Sequence, residues 1–289
     1  MAQSQPSRRP RGPYRVLAAS FALTVAAAAQ AASYRVYPLP IASPDHGPRA
    51  LVTDPHHIQA SPFGWHDTNG VPGAEFTILR GNNVWVYLDQ DNDNLPDGPG
   101  PDGGPALVFD YPAAPGVLPP LSYADALATN AFYLGNMIHD ILWQHGFREA
   151  DGNFQENNYG NGGLGGDAMR IEIFNGGGTN NANSTSTVDG VPPRIQLYVW
   201  TMTNPHREGS FDAGVLAWAY MQSVQRRLGG LACFGNSENP TFGYSDFVGT
   251  LITNDFSATN PATPRGVGTW LMGSRSRDRA SGAIPTRWT

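Results

Sequence analysis

The sequence predicts an α+β fold, on three observations. Residues 33–120 are rich in Pro, Gly, Asp and Asn, with short apolar pieces between turn signals, the mark of strands and loops. Two later segments, 121–146 and 214–230, carry apolar residues at helical spacing. Between them, "RIQLYVW" reads as a strand preceded by long Gly/Asn-rich loops.

The first 32 residues stand apart. Arg8, Arg9, Arg11 and Arg15 precede the apolar "VLAASFALTVAAAA" and the small-residue "AQAAS". This is the layout of a secretory signal peptide cleaved near Ala31 or Ala32, with a transmembrane anchor as the alternative. Removing it leaves 14 arginines, no lysine and 24 acids, about −10 in net charge, which argues against nucleic-acid binding. With signal cleavage the chain is expected to be extracellular and free of the membrane. The single cysteine, Cys233, allows no internal disulfide, and "LACFG" gives no reason for a depressed thiol pKa, so a buried inert thiol is expected.

In the β-rich region 33–120, "AEFTIL" and "NNVWVYL" are the expected strands. The loop "DQDNDNLPDG" sets Asp89, Asp91, Asp93 and Asp97 at positions 1, 3, 5 and 9, the oxygen spacing that a hard cation prefers. Gly100 occupies position 12, where a bidentate acid belongs, so a calcium loop and a solvated acidic turn both remain open.

The second unit, 121–256, begins with a helix. Ser122 and Asp125 have capping-box spacing, Leu127, Ala131, Leu134, Ile138 and Ile141 form its stripe, and Gly146 ends it. Apolar residues on its other sides predict burial on most sides. His139 and His145 lie six apart, on different faces, and are expected as a core and a helix-end histidine. The helix 214–230 has Ser210 and Asp212 at its start, Arg226 and Arg227 in its last turn and Gly229 and Gly230 at its end. Ala217, Tyr220, Met221, Val224 and Leu228 form its apolar stripe. Residues 257–289 read as a truncated tail.

Lysine-dependent phosphate loops and the Gly-x-Ser-x-Gly elbow are both absent from the sequence. The segments "SPFGWHDTNG", "RGNNVWVYLDQDND", "TNAFYLGNMIHDILWQHGF", "GNFQENNYGNGGLGGDA", "GTNNAN" and "PRGVGTW", in order over residues 35–272, closely resemble the fungalysin family of secreted zinc metallopeptidases. The resemblance implies a thermolysin-like N-terminal lobe behind a β-rich extension. It also implies that the family's propeptide and helical second lobe are missing.

In that family the helix matching 214–230 carries His-Glu-x-x-His, whose histidines hold zinc while the glutamate polarises water. Here the resemblance places the first histidine at Trp218, the glutamate at Ala219, the second histidine at Gln222 and the third ligand at Phe242. None of these is a strong zinc ligand or a base. A secreted homologue without zinc or catalysis is the reading this supports. An active zinc endopeptidase with other ligands and a non-functional fragment are the alternatives.

Asp246 matches the aspartate that orients the first histidine, so a Trp218 to Asp246 hydrogen bond is expected in its place. "GTNNAN" resembles the strand on which such enzymes lay out substrate, making Asn181 and Ala182 candidates for peptide contact, against an ordinary Asn-rich loop. Without a second lobe, the apolar side of helix 214–230 is expected to be partly exposed, which predicts self-association, a partner chain or low stability.

Overall fold

The computed structural model describes Met1 and residues 31–185, 188–230, 241–257 and 266–273. Most of the 1–32 segment, Cys233 and much of the 257–289 tail therefore lie outside the described residues. Among these residues no helix is long and apolar enough to cross a membrane.

The fold is mixed α+β. β1 (Ser33–Val36) pairs antiparallel with β2 (Ala50–Thr53) and parallel with β4 (Val108–Phe109). A second sheet has the order β3-β5-β7-β6, from β3 (Val84–Leu88), β5 (Met169–Ile173), β6 (Ala182–Thr185) and β7 (Arg194–Leu197). β3, β5 and β7 run parallel, and β6 lies antiparallel at the edge. β8 (Val199–Trp200) and β9 (Arg207–Glu208) form a ribbon leading into α2 (Ala213–Gly229). α1 (Ala124–Gln144) lies between β3 and β5 in sequence, and α3 (Thr241–Ile252) packs on α2.

"NNVWVYL" forms β3, and "RIQLYVW" forms β7 and β8 with a break at Tyr198. "AEFTIL" makes no strand, only an isolated bridge from Ile78 to Asp102. The Glu75 carboxylate instead accepts from the Thr68 backbone N–H at 2.6 Å, which holds this stretch in a folded loop.

α1 is buried from Ala126 to Asn136 and again from Ile138 to Asp140, as its apolar surroundings predict. Ile141 at the end of the stripe is only half-buried. Gly135 allows this helix to lie on the sheet, because a Cβ there would meet Ile171 Cδ1 at 2.8 Å. The capping box does not form. Pro120–Tyr123 makes a turn of 3-10 helix, Ser122 Oγ donates to Pro119 O at 2.6 Å, and Tyr123 becomes an N-cap without side-chain help. Proline at the first helical positions suits this tight entry. The buried Asp140 carboxylate accepts from His57 N, Ser61 Oγ, Trp65 Nε1 and His139 Nδ1, so His139 is a partnered core side chain.

Two expectations about the end of the lobe fail. α2 is buried from Ala213 to Val224, and of its predicted stripe only Leu228 is exposed. α3 covers the face expected to be bare. Gly249 and Gly214 permit that approach, since a Cβ on Gly249 would meet Gly214 O at 3.1 Å. The exposed apolar side chains sit instead on α3 (Phe242, Tyr244, Phe247 and Leu251). Residues 266–273, read as part of a tail, also enter the core: Trp270 and Leu271 are buried, and the Arg207 guanidinium lies 4.9 Å from the Trp270 ring while donating to Trp270 O.

Candidate functional site

α2 supplies the centre of the site. Asp212 caps it by accepting from Val215 N at 3.1 Å, and Gly230 ends it at φ +66°. The i and i+4 spacing puts Trp218 and Gln222 on one face, as a pair of ligands requires. α3 then brings Phe242 to that face: the Trp218 and Phe242 rings stack with centroids 5.9 Å apart and planes 13° from parallel. Of the three positions that the resemblance equates with zinc ligands, Trp218 and Phe242 thus meet in space and Gln222 shares the helix face with Trp218. Ala219, at the general-base position, is fully buried.

The side chains present do not fit zinc. An indole N–H only donates, and alanine and phenylalanine offer no lone pair. The Gln222 Oε1 atom accepts from Arg226 Nη2 at 3.3 Å, so the one neutral oxygen here faces a cation. Gln222 Nε2 is buried without a partner.

Asp246 and Trp218 line one small cavity of about 30 Å³ with Asn181, Ala182, Trp200 and Val215. The expected bond between them is not made, because no hydrogen bond joins the indole to the carboxylate. Stacking on Phe242 takes up the Trp218 ring instead, and burial pushes the Asp246 carboxyl above its ordinary range.

Asn181 and Ala182 sit at the start of β6 with the edge largely satisfied from within. Ala182 N donates to Asn181 Oδ1 at 2.8 Å, and Ser184 N to Asn183 Oδ1 at 2.9 Å. The Ser184 carbonyl accepts from Arg226 Nη1, and Ser223 Oγ donates to Thr185 O at 2.9 Å. The sequence reading assigned Arg226 and Arg227 only to the helix dipole. They also clamp α2 to β6 and to the loop around Asp167, contacts between residues about 40 and 60 positions apart.

Among the described residues, Asp89, Asp91 and Asp97 form the one group of three or more potential metal-ligand residues, with ligand atoms within 4.8 Å of one another. Asp93 does not join them; its Oδ1 accepts from Leu95 N at 2.8 Å. Asp89 is fully buried, and its Oδ2 accepts from Asn175 Nδ2 at 2.6 Å.

Burial also shapes the acid–base behaviour at the base of α2. Desolvation pushes both Asp212 and Glu208 up to about 7, and it pushes the core His66 down to about 4. Between pH 4 and 7 the folded chain keeps two carboxyl protons that the unfolded chain has lost, which favours folding as pH falls. His66 acts oppositely, since the unfolded imidazole takes up a proton below about 6.5 while the folded one does not. Two groups outweigh one, so the balance of the three favours folding as pH falls. The melting temperature is therefore expected to be several degrees higher at pH 5.5 than at pH 8, with Glu208→Gln reducing the difference.

The model of the family described as fungalysin metallopeptidase (M36) matches residues 33–282. An extracellular metalloproteinase MEP of Leptosphaeria maculans is 39% identical over 252 residues, covering 84% of this chain and 39% of its own length. Extracellular metalloproteinase 1 of Arthroderma gypseum is 38% identical over 233 residues, covering 76% and 35%. An extracellular metalloproteinase MEP of Fusarium vanettenii is 35% identical over 272 residues, covering 87% and 40%. The chain thus spans roughly two fifths of the length of these relatives. With a matching family model over most of its length and these relatives beside it, the chain belongs to the fungalysin metallopeptidases.

Proposed function

We propose that this chain is an extracellular, non-catalytic member of the fungalysin family that holds no catalytic zinc. The observation that carries the reading is the Trp218–Phe242 stack beside the buried Ala219 and Gln222, at positions where the family's chemistry needs two imidazoles and two carboxylates. Losing a general base costs about 10² to 10⁴ in rate, and without the metal the activated water goes too. The secreted location rests on the Arg-rich, Ala-rich N-terminus and on relatives named as extracellular. Zinc analysis of the purified chain and a casein digestion test the proposal. Metal well below one equivalent and no chelator-sensitive cleavage are expected; one zinc per chain with such cleavage overturns it. A cooperative melt is the expected result that separates a folded, non-catalytic protein from a non-functional fragment.

Peptide affinity through Asn181 and Ala182 requires a ligand to displace the Asn181 carbonyl from Ala182 N, so any binding there is weak. A structural calcium ion on Asp89, Asp91 and Asp97 belongs to the same proposal. Calcium at 100 times its dissociation constant is expected to stabilise the fold by about 2.7 kcal/mol, seen as a raised melting temperature that Asp91→Asn diminishes. An unchanged melt in millimolar calcium removes the ion from the account.

A further inference from the structure

Asn-x-Ser/Thr, with x other than Pro, occurs once in the 289 residues, at Asn183-Ser184-Thr185. The other near match, Asn239-Pro240-Thr241, is disqualified by its proline. Asn183 is the one exposed residue of β6, whose burial alternates, and β6 is the edge strand of its sheet. The Asn183 amide meets Ser184 N, Gln196 Oε1 at 3.3 Å and the Tyr198 hydroxyl. Attaching a sugar to Nδ2 leaves one N–H there, enough for one of the contacts with Gln196 and Tyr198.

We infer that Asn183 is an N-glycosylation site and that its glycan closes the β6 edge. The inference rests on the reading of the chain as secreted, because the donor, a lipid-diphosphate-linked oligosaccharide, is met only in the secretory route. The Asn183 amide nitrogen bonds to the anomeric carbon of the first sugar, the bond from that carbon to the diphosphate oxygen breaks, the amide gives up one proton, and the lipid diphosphate leaves. An edge strand invites pairing by another chain; the side-chain contacts of β6 already oppose this, and a bulky hydrophilic group on its outward residue completes the protection. The glycan stands one residue from Ala182, where it also obstructs an extended peptide.

The full chain, expressed in a secreting yeast, tests this. Protein from the medium is expected to lose roughly 1–3 kDa of apparent mass on treatment with an N-glycan amidase. Its peptide containing residue 183 should carry hexosamine. Asn183→Gln and Thr185→Ala abolish the shift, while Thr185→Ser preserves it. Secreted protein whose Asn183 is unmodified overturns the inference. A second expression behind a foreign secretory leader separates the two readings. If the native N-terminus fails to export the chain but the foreign leader yields modified Asn183, only the secretion reading falls; if the exported chain is unmodified, the glycan is lost.

Discussion

Arg227→Ala lowers the stability of the fold by about 3–5 kcal/mol, the cost of leaving a buried charge without its partner. Arg227 Nη1 lies 2.8 Å from Asp167 Oδ2, with the two side chains 4% and 0% exposed. The same guanidinium donates to Gly152 O at 2.8 Å and Val191 O at 3.1 Å, and lies 4.7 Å from the Phe154 ring. Truncation strands the Asp167 carboxylate, whose other partners are the Gln155 and Gly190 N–H groups. Burial already holds the Asp167 carboxyl above its ordinary range while Arg227 pulls it down, so without the arginine it rises further. The deficit, measured by urea unfolding, is therefore expected to shrink as pH falls and Asp167 takes up a proton. Arg227→Met with Asp167→Asn recovers part of the loss, because no charge then remains buried and unpaired. Arg226→Ala, which removes the neutral contacts to Ser184 and Gln222, costs less, about 1–2 kcal/mol.

That ion pair illustrates which parts of this protein could be read from its chain. α2 was legible because its signals are local: Asp212 caps it, Gly230 ends it and its apolar stripe has the helical period. The spacing of 218 and 222 likewise predicts that they share a face. The start of α1 misleads because Pro119 and Pro120 set a 3-10 turn that competes with the cap at Ser122. Long-range partners leave no mark in the local pattern. Nothing near Arg227 names Asp167, nothing near Leu228 tells that α3 packs on α2 while Leu228 itself stays exposed, and nothing in "GVGTWLM" alone tells that Trp270 packs against Phe211 with ring centroids 6.3 Å apart. Of the four acids in the acidic loop, three come together in space. Whether Asp93 joins Asp89, Asp91 and Asp97 depends on its turn to Leu95 N, which spacing does not encode.

Trp218→His, Gln222→His and Phe242→Glu combined are expected to create zinc binding with a dissociation constant of micromolar or tighter, about −8 kcal/mol or better, against none for the unaltered site. The helix sets the two imidazoles one turn apart, and the stacked Trp218 and Phe242 rings show that a side chain at 242 reaches position 218. Two imidazoles and one carboxylate suffice for a zinc centre with an open fourth position. The metal-free variant should be less stable than the parent, because it gives up the ring stack, worth about 0.5–1.5 kcal/mol beyond its buried area. Zinc should then raise its melting temperature, and a chelator should reverse the gain. Arg226 opposes the new site, since its guanidinium lies where the Gln222 carbonyl now receives it. Adding Arg226→Gln should therefore tighten zinc, and Trp218→His alone should bind it poorly. A folded triple variant that takes up no zinc would place the third ligand position elsewhere than residue 242. It would also break the argument that α3 closes this site with a phenyl ring where its family places a carboxylate.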